Sequence, residues 1–256
     1  MSAPTIPGIL HKPGAPVFFN PAMMVPNTFE IDVADDVLAD LQRHAEALRA
    51  MDESGAIYAL DGGLRLYNER PRKWRSDICW LSHADEASYH WFEDIYQRLG
   101  LGAMVAPFVP HDREIRLYAG FFVTRSRCEA LDMHCDWLTE GNDAFTLMAA
   151  ITPNASGLGM TYETARKEMR EHTYEVGKGL VFGTHFRHST SMGQLDERAV
   201  FLCLNFGTDR MENWPNIART TATQGDFFRQ PDGSFITYAD LQAQLGKAGA
   251  ALNAGY

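Results

Sequence analysis

Two hydrophobic rhythms divide the chain. Up to about residue 112 apolar positions follow mainly a helical spacing, and from Glu114 onward they come in short runs broken by turn-forming residues. Val33, Val37, Leu41, Ala45 and Leu48 mark one face of a helix over 33–50, with Asp32 at the N-cap position and Asp35 and Asp36 suited to the positive end of its dipole. Ala56–Leu60 and Leu64–Tyr67 flank Asp61-Gly62-Gly63 and predict a hairpin that extends the main sheet. A second helix is expected where Ser82 and Asp85 resemble a capping box and Phe92, Ile95, Tyr96 and Leu99 share a face, until Gly100 stops the run. Strands are then expected over 114–124, 131–137, 144–152, 159–164, 172–175, 179–183 and 197–206. Helices first and strands afterwards, without βαβ alternation, favour an antiparallel sheet with helical support. Short antiparallel strands in two sheets make a jelly roll.

The two ends read differently. Residues 1–28 hold Pro4, Pro7, Pro13, Pro16, Pro21 and Pro26, half of the 12 prolines, and predict an extended or loop-like segment. The tail carries Gln224–Phe228, a turn at Pro231–Ser234 and a short helix opened by Thr237 and Asp240 with Tyr238, Leu241 and Leu245. One globular domain is expected, in four parts: a Pro-rich segment 1–28, a helical and hairpin support 29–112, a β core 113–209 and an extension 210–256. The apolar groups Val17-Phe18-Phe19, Met23-Met24-Val25, Phe227, Phe228, Phe235 and Tyr238 suggest that both ends cover something, either the mouth of a pocket or the closed end of the core.

Composition narrows the function. The 256 residues are 45% hydrophobic, ordinary for a globular protein, and the net charge of −10 argues against a nucleic-acid binder, which needs a basic face. Cys79, Cys128, Cys135 and Cys203 are scattered without a Cys-x-x-Cys, so neither a disulfide framework nor a zinc ribbon is indicated, and a cytoplasmic location is the simplest expectation. No run of eighteen apolar residues suggests a membrane span.

The chemistry concentrates in Leu131-Asp132-Met133-His134-Cys135-Asp136-Trp137. In a strand His134 and Asp136 share a face, while Cys135 points the other way into packing. His188 follows 54 residues later and Arg198 ten beyond that. Two histidines and a carboxylate form the facial triad of non-haem iron oxygenases, and an arginine suits a dicarboxylate co-substrate. His185 is the rival distal histidine; the resemblance drawn below, in which an arginine follows the distal histidine at ten residues, implies His188. Arg198 opens the apolar run Ala199–Leu204, where a cation requires a partner.

These residues resemble the Fe(II)/2-oxoglutarate-dependent dioxygenases, in their compact branch of prolyl hydroxylases and bacterial small-molecule hydroxylases. Arg116–Gly120 is similar to the strand before the His-x-Asp in that branch. Gly157–Thr164 lies where its members carry a Gly-Gly-Glu-Thr element, matched here imperfectly, and Val200 replaces their usual hydroxyl two residues after the arginine. The resemblance implies a double-stranded β-helix, cupin-like, with flanking helices. It also implies Fe(II) on His134, Asp136 and His188, with O2 and 2-oxoglutarate as co-substrates. Arg198 would hold the distal carboxylate, with Tyr118 or Thr146 supplying the donor that Val200 lacks. Trp137 is a candidate pocket wall, and Arg116, Arg125 and Arg187 are candidate cations facing substrate. The implied reaction hydroxylates an unactivated C–H bond of a small molecule, such as an amino acid or natural-product intermediate, releasing succinate and CO2. With Asp136 as a ligand no position is left for halide. The reading from another class is a cupin-like metal-dependent hydrolase or isomerase, or a non-catalytic binding barrel, neither of which needs Arg198. Partners are a small-molecule substrate, with no nucleic acid or membrane; homo-oligomers stay open.

Overall fold

A computed structural model describes residues 9–12, 15–70, 76–137 and 141–245, with side chains from Phe19 to Gln244. Where described, the Pro-rich segment is extended apart from a turn at 21–24. Strands β1 (Ile9–Lys12), β2 (Ala15–Asn20) and β3 (Val25–Pro26) form a small antiparallel sheet, and β4 (Thr28–Asp32) joins the edge of the main one. Met23 and Val25 are buried, whereas the side chains of Val17 and Phe18 lie outside the described residues.

The expected first helix is two: α1 (Asp35–Gln42) and α2 (Ala45–Arg49), separated by a turn at Arg43 and His44. Its apolar stripe holds, with Val37, Leu41 and Leu48 fully buried. Ala34, not Asp32, is the N-cap and makes no side-chain bond, so Asp35 and Asp36 favour the helix through its dipole. The hairpin forms as β5 (Ile57–Ala59) and β6 (Arg65–Glu69), and β7 (Cys79–His83) adds to it. Ser82 therefore lies in a strand and caps nothing. Asp85 caps α3 (Glu86–Arg98) by accepting the Ser88 N–H at 2.9 Å, and Gly100, with φ of 66°, turns the chain into α4 (Leu101–Val105).

The β core comprises β8 (Arg116–Cys128), β9 (Ala144–Ala150), β10 (Met160–Glu163), β11 (Met169–His172), β12 (Lys178–Phe182), β13 (His188–Thr190) and β14 (Gly193–Gly207). Two expectations fail. Segment 131–137 makes a single bridge, at His134, and leaves Leu131 exposed. The strand expected over 172–175 lies earlier, because Tyr174 leaves the ladder to bury its ring against Phe201 at 4.9 Å.

An eight-stranded antiparallel sheet, in the order β4-β12-β9-β14-β8-β7-β6-β5, faces a smaller sheet of β11-β10-β13. Alternation along the strands separates two cores. Phe122, Leu147, Val200, Leu202 and Leu204 pack under the helices, whereas Phe121, Val123, Met148, Ala199, Phe201 and Cys203 fill the space between the sheets with Met160 and Phe186. Two wound, opposed sheets of this kind are a double-stranded β-helix, mainly β with helices on one outer face.

The extension contributes α5 (Trp214–Thr221), β15 (Phe227–Arg229), β16 (Phe235–Thr237) and α6 (Tyr238–Leu245), the last opened by the expected capping box of Thr237 and Asp240. Trp214, Ile217, Phe228 and Leu241 pack with Tyr118, Trp137 and Ala144 in a third core. Among the described residues no helix is long and apolar enough to cross a membrane.

Candidate metal centre

His134 and His188 are direct cross-strand partners. Each donates its backbone N–H to the other's carbonyl, at 2.9 and 2.8 Å, so their side chains leave the same face. Asp136 lies two residues further on. Its Oδ1 is 3.4 Å from His134 Nε2 and 3.7 Å from His188 Nε2, and one ligand atom from each of the three residues falls within 4.8 Å of the others. Ligands held at about 2.1 Å on one face of a six-coordinate metal are about 3 Å apart, and both separations from Asp136 lie within about 1 Å of that spacing. The donor set fits iron in a facial triad.

The surroundings fix which atoms face the metal position. His134 Nδ1 lies 2.7 Å from the Asp132 carbonyl and His188 Nδ1 lies 3.2 Å from that of Phe186. A carbonyl can only accept, so both Nδ1 atoms carry a proton and both Nε2 atoms face the metal position. Burial opposes ionisation of Asp136, but the His188 and His134 imidazoles outweigh it and hold the carboxyl below its ordinary range. Burial pushes His188 down to about 4 against the pull of Asp136, so its imidazole is neutral and able to ligate. His134 is also pressed down by burial, yet its hydrogen bond to Asp136 raises it above the usual imidazole range. Outside the triad, Thr146 Oγ1 lies 3.2 Å from Asp136 Oδ2, and Thr220 Oγ1 donates to the Asp136 carbonyl.

The triad opens on a cavity of about 70 Å³ between the two sheets. Trp80, Phe121, Val123, Met148 and Met160 give it apolar walls, and Arg125 brings a charge. Arg125 is 4% exposed. Its guanidinium lies 4.6 Å above the Phe201 ring and donates through Nη1 to Thr190 Oγ1 at 2.5 Å, while Nε and Nη2 are buried without a hydrogen-bond partner among the described residues. The same charge faces Tyr174, whose phenol burial pushes up.

Strand parity explains why this arginine, and not Arg198, reaches the cavity. Phe121, Val123 and Arg125 share the inner face of β8, and Arg125 pairs across the ladder with Ala199, whose small side chain leaves room for it. Arg198 sits on the opposite face of β14 with Val200 and Leu202. The partner that its apolar strand requires is internal: Nε lies 3.6 Å from Asp77 Oδ2, and Nη1 donates to the Met51 carbonyl at 3.2 Å. Val200 points into the helix-covered core, so the hydroxyl it replaces has no counterpart to supply there.

The other expected residues divide. Thr146 lines the cavity, but its hydroxyl is engaged by Asp136, Trp137 and Asn205. Tyr118 donates to the Thr208 carbonyl at 2.6 Å inside the third core, away from the cavity lining. Trp137 is buried in that core and is a support for Thr146, not a wall of the cavity. Arg116 pairs with Glu114 and exposed Arg187 with Glu163, both outside the lining. His185 is exposed, in a turn with φ of 68°. Sequence reasoning missed Gln224 and Asn205 altogether. Asn205 does carry a signal, being a polar residue in the middle of an apolar strand, where it needs a partner.

No family model and no curated protein matches the chain. Solved structures with similar folds include the non-heme alpha ketoglutarate dependent epimerase SnoN from nogalamycin biosynthesis, at 12% identity and a TM-score of 0.49 over 72% of this chain and 79% of that one. HygX from Streptomyces hygroscopicus with nickel and 2-oxoglutarate bound matches at 12% identity and 0.45, over 71% and 82%. A Pseudomonas putida prolyl-4-hydroxylase matches at 10% and 0.43, over 71% and 92%. At these identities the likeness is one of fold alone.

Proposed function

We propose that the protein is an Fe(II)- and 2-oxoglutarate-dependent dioxygenase that hydroxylates an unactivated C–H bond of a small molecule, such as an amino acid or a natural-product intermediate. One observation carries the reading: a facial triad and a buried guanidinium with two nitrogens that lack a hydrogen-bond partner among the described residues line the same cavity. Leaving such a charge unpaired costs about 3–5 kcal/mol, so the site is built for an anion that arrives from outside. A dicarboxylate held at the metal by one end would offer its other carboxylate to this guanidinium. A hydrolytic metal site or a plain binding barrel has no use for that second contact.

His134 and His188 would hold the metal through Nε2 and Asp136 through a carboxylate oxygen. With iron bound, oxidative decarboxylation of 2-oxoglutarate to succinate and CO2 supplies the oxidant, and one oxygen atom of O2 enters the substrate C–H bond. Arg125 anchors the distal carboxylate with Thr190 beside it, and the apolar walls exclude water.

The test compares two arginines. Arg125→Ala should raise the 2-oxoglutarate requirement about 100-fold, the loss of roughly 3 kcal/mol, with iron affinity preserved. Arg198→Ala should leave it within about threefold, since its partners are Asp77 and Met51. Anaerobic titration of the Fe(II) protein with 2-oxoglutarate, followed by the visible charge-transfer band of the chelate, reads both. No band in the wild type would reject the function, and a normal Arg125→Ala titration beside a failed Arg198→Ala would reject this assignment of the anchor.

A further inference from the structure

Gln224 lines the same cavity, three residues beyond the end of α5. A chain of side chains joins it to the carboxylate of the triad: Gln224 to Asn205 at 2.5 Å, Asn205 to Thr146 at 3.2 Å, and Thr146 to Asp136 Oδ2 at 3.2 Å. Asn205 is fully buried and Thr146 nearly so, and no water is needed to complete the chain.

Counting protons sets the direction of the chain. A hydroxyl has one proton to give and two lone pairs to receive with. Thr146 Oγ1 has three neighbours, of which Trp137 Nε1, at 3.1 Å, can only donate and the ionised Asp136 can only accept. The Asn205 amide can present either end, because a half turn exchanges its oxygen and nitrogen and moves nothing else. The charge-assisted bond is the stronger, so the Thr146 proton goes to Asp136. Its remaining lone pair then requires a donor, Asn205 Nδ2. That choice aims Asn205 Oδ1 at Gln224, which must answer with Nε2 and is left with its carbonyl oxygen on the cavity side. As the two amides are placed, Asn205 Nδ2 donates to Gln224 Oε1 and Thr146 donates to Asn205 Oδ1, and Asp136 Oδ2 then faces a lone pair in a buried site; turning both amides over removes that clash.

We infer that Gln224 presents its carbonyl oxygen to the cavity on which the triad opens and selects a substrate that offers an N–H or O–H donor there, with Thr146 and Asn205 as the positioning residues that set its sense. The inference rests on the proposed metal centre, since it is an ionised ligand carboxylate that orders the chain.

Nuclear magnetic resonance of the full chain, 15N-labelled and loaded with Zn(II) and 2-oxoglutarate, tests it. One Gln224 side-chain amide proton should be shifted downfield and protected from solvent exchange, being held by Asn205, while the other exchanges freely. In the same sample 1-butanol and n-butylamine, which donate, should shift the Gln224 signals, and 2-butanone, which only accepts, should not. Gln224→Glu, which cannot donate to Asn205, should lower Zn(II) affinity about tenfold. Two freely exchanging Gln224 protons, or an equal or reversed response to the three probes, would overturn the inference whatever the variant does. Failure of the wild type to bind Zn(II) or Co(II) would instead reject the metal centre beneath it.

Discussion

At the scale of the residue, the two histidines are fixed by their own backbone: Nδ1 of each is tied to the carbonyl two residues before it, and the mutual His134–His188 bridge sets their separation. His134→Ala and Asp136→Ala should therefore abolish Fe(II) binding while the fold persists, since neither side chain belongs to the hydrophobic clusters. Metal titration with circular dichroism checks this, and full iron affinity in both variants would remove the metal centre. The pair His188→Ala and His185→Ala separates the rivals, the first losing activity and the second, on an exposed turn, retaining it. The triad was legible because ligand spacing survives without knowledge of the fold: two residues on one face, then a distant histidine. The cation in the cavity was not singled out: Arg125 stood with Arg116 and Arg187 as one of three candidates facing substrate, and nothing in the order of residues told that Ala199 would stand opposite it.

At the scale of the element, that failure has a definite cause. β14 is buried on both faces, so its sequence reads as one apolar run from Ala199 to Leu204, and such a run does not reveal which residues point inward. The ten-residue interval gave Arg198 its place along the strand but not its face. The short helix pair and the misplaced cap near Asp32 are boundary errors of the ordinary kind, whereas the strand expected over 131–137 failed because only His134 finds a partner. The seam between β7 and α3 carries a measurable consequence. His83 is fully buried, with Nδ1 3.0 Å from the Gly120 carbonyl and rings of Tyr89, Phe92 and Phe227 around it, and burial pushes it down to about 4. The unfolded chain takes up this proton near pH 6.5 and the folded one only near 4. Stability is therefore intact above pH 6.5 and falls as the pH drops toward 4, by about 3 kcal/mol from this group. His83→Asn keeps a donor for Gly120 and cannot titrate. Urea unfolding across that pH range should show a flatter slope in the variant, and parallel curves would mean that His83 does not govern this loss.

At the scale of the whole molecule, the question is whether the extension after Asn213 is a lid or part of the body. Its aromatic residues have found cover: Phe228 and Leu241 lie in the third core with Tyr118 and Trp137, and Phe227 and Phe235 stack at 5.2 Å against His83 and Tyr89. Gly225 runs so close to β7 that a Cβ there would meet Ser82 Oγ at 2.3 Å, which is tight packing and not a hinge. Arg229 pairs with Glu93 on α3, and Thr220 holds the Asp136 carbonyl. The N-terminal side behaves likewise, with β4 completing the large sheet and Met23 and Val25 inside the inner core. A segment that closes over substrate draws on weakly held structure and opens far below the free energy of global unfolding. Here the burial and the tie to Asp136 predict the reverse: amides of α5 and β15 should exchange with solvent only as fast as those of β8 and β14, with or without Fe(II) and 2-oxoglutarate. Hydrogen exchange followed by mass spectrometry would measure it. Fast exchange across 214–229 that slows on adding Fe(II) and 2-oxoglutarate, with β8 and β14 unchanged, would make the extension a lid after all.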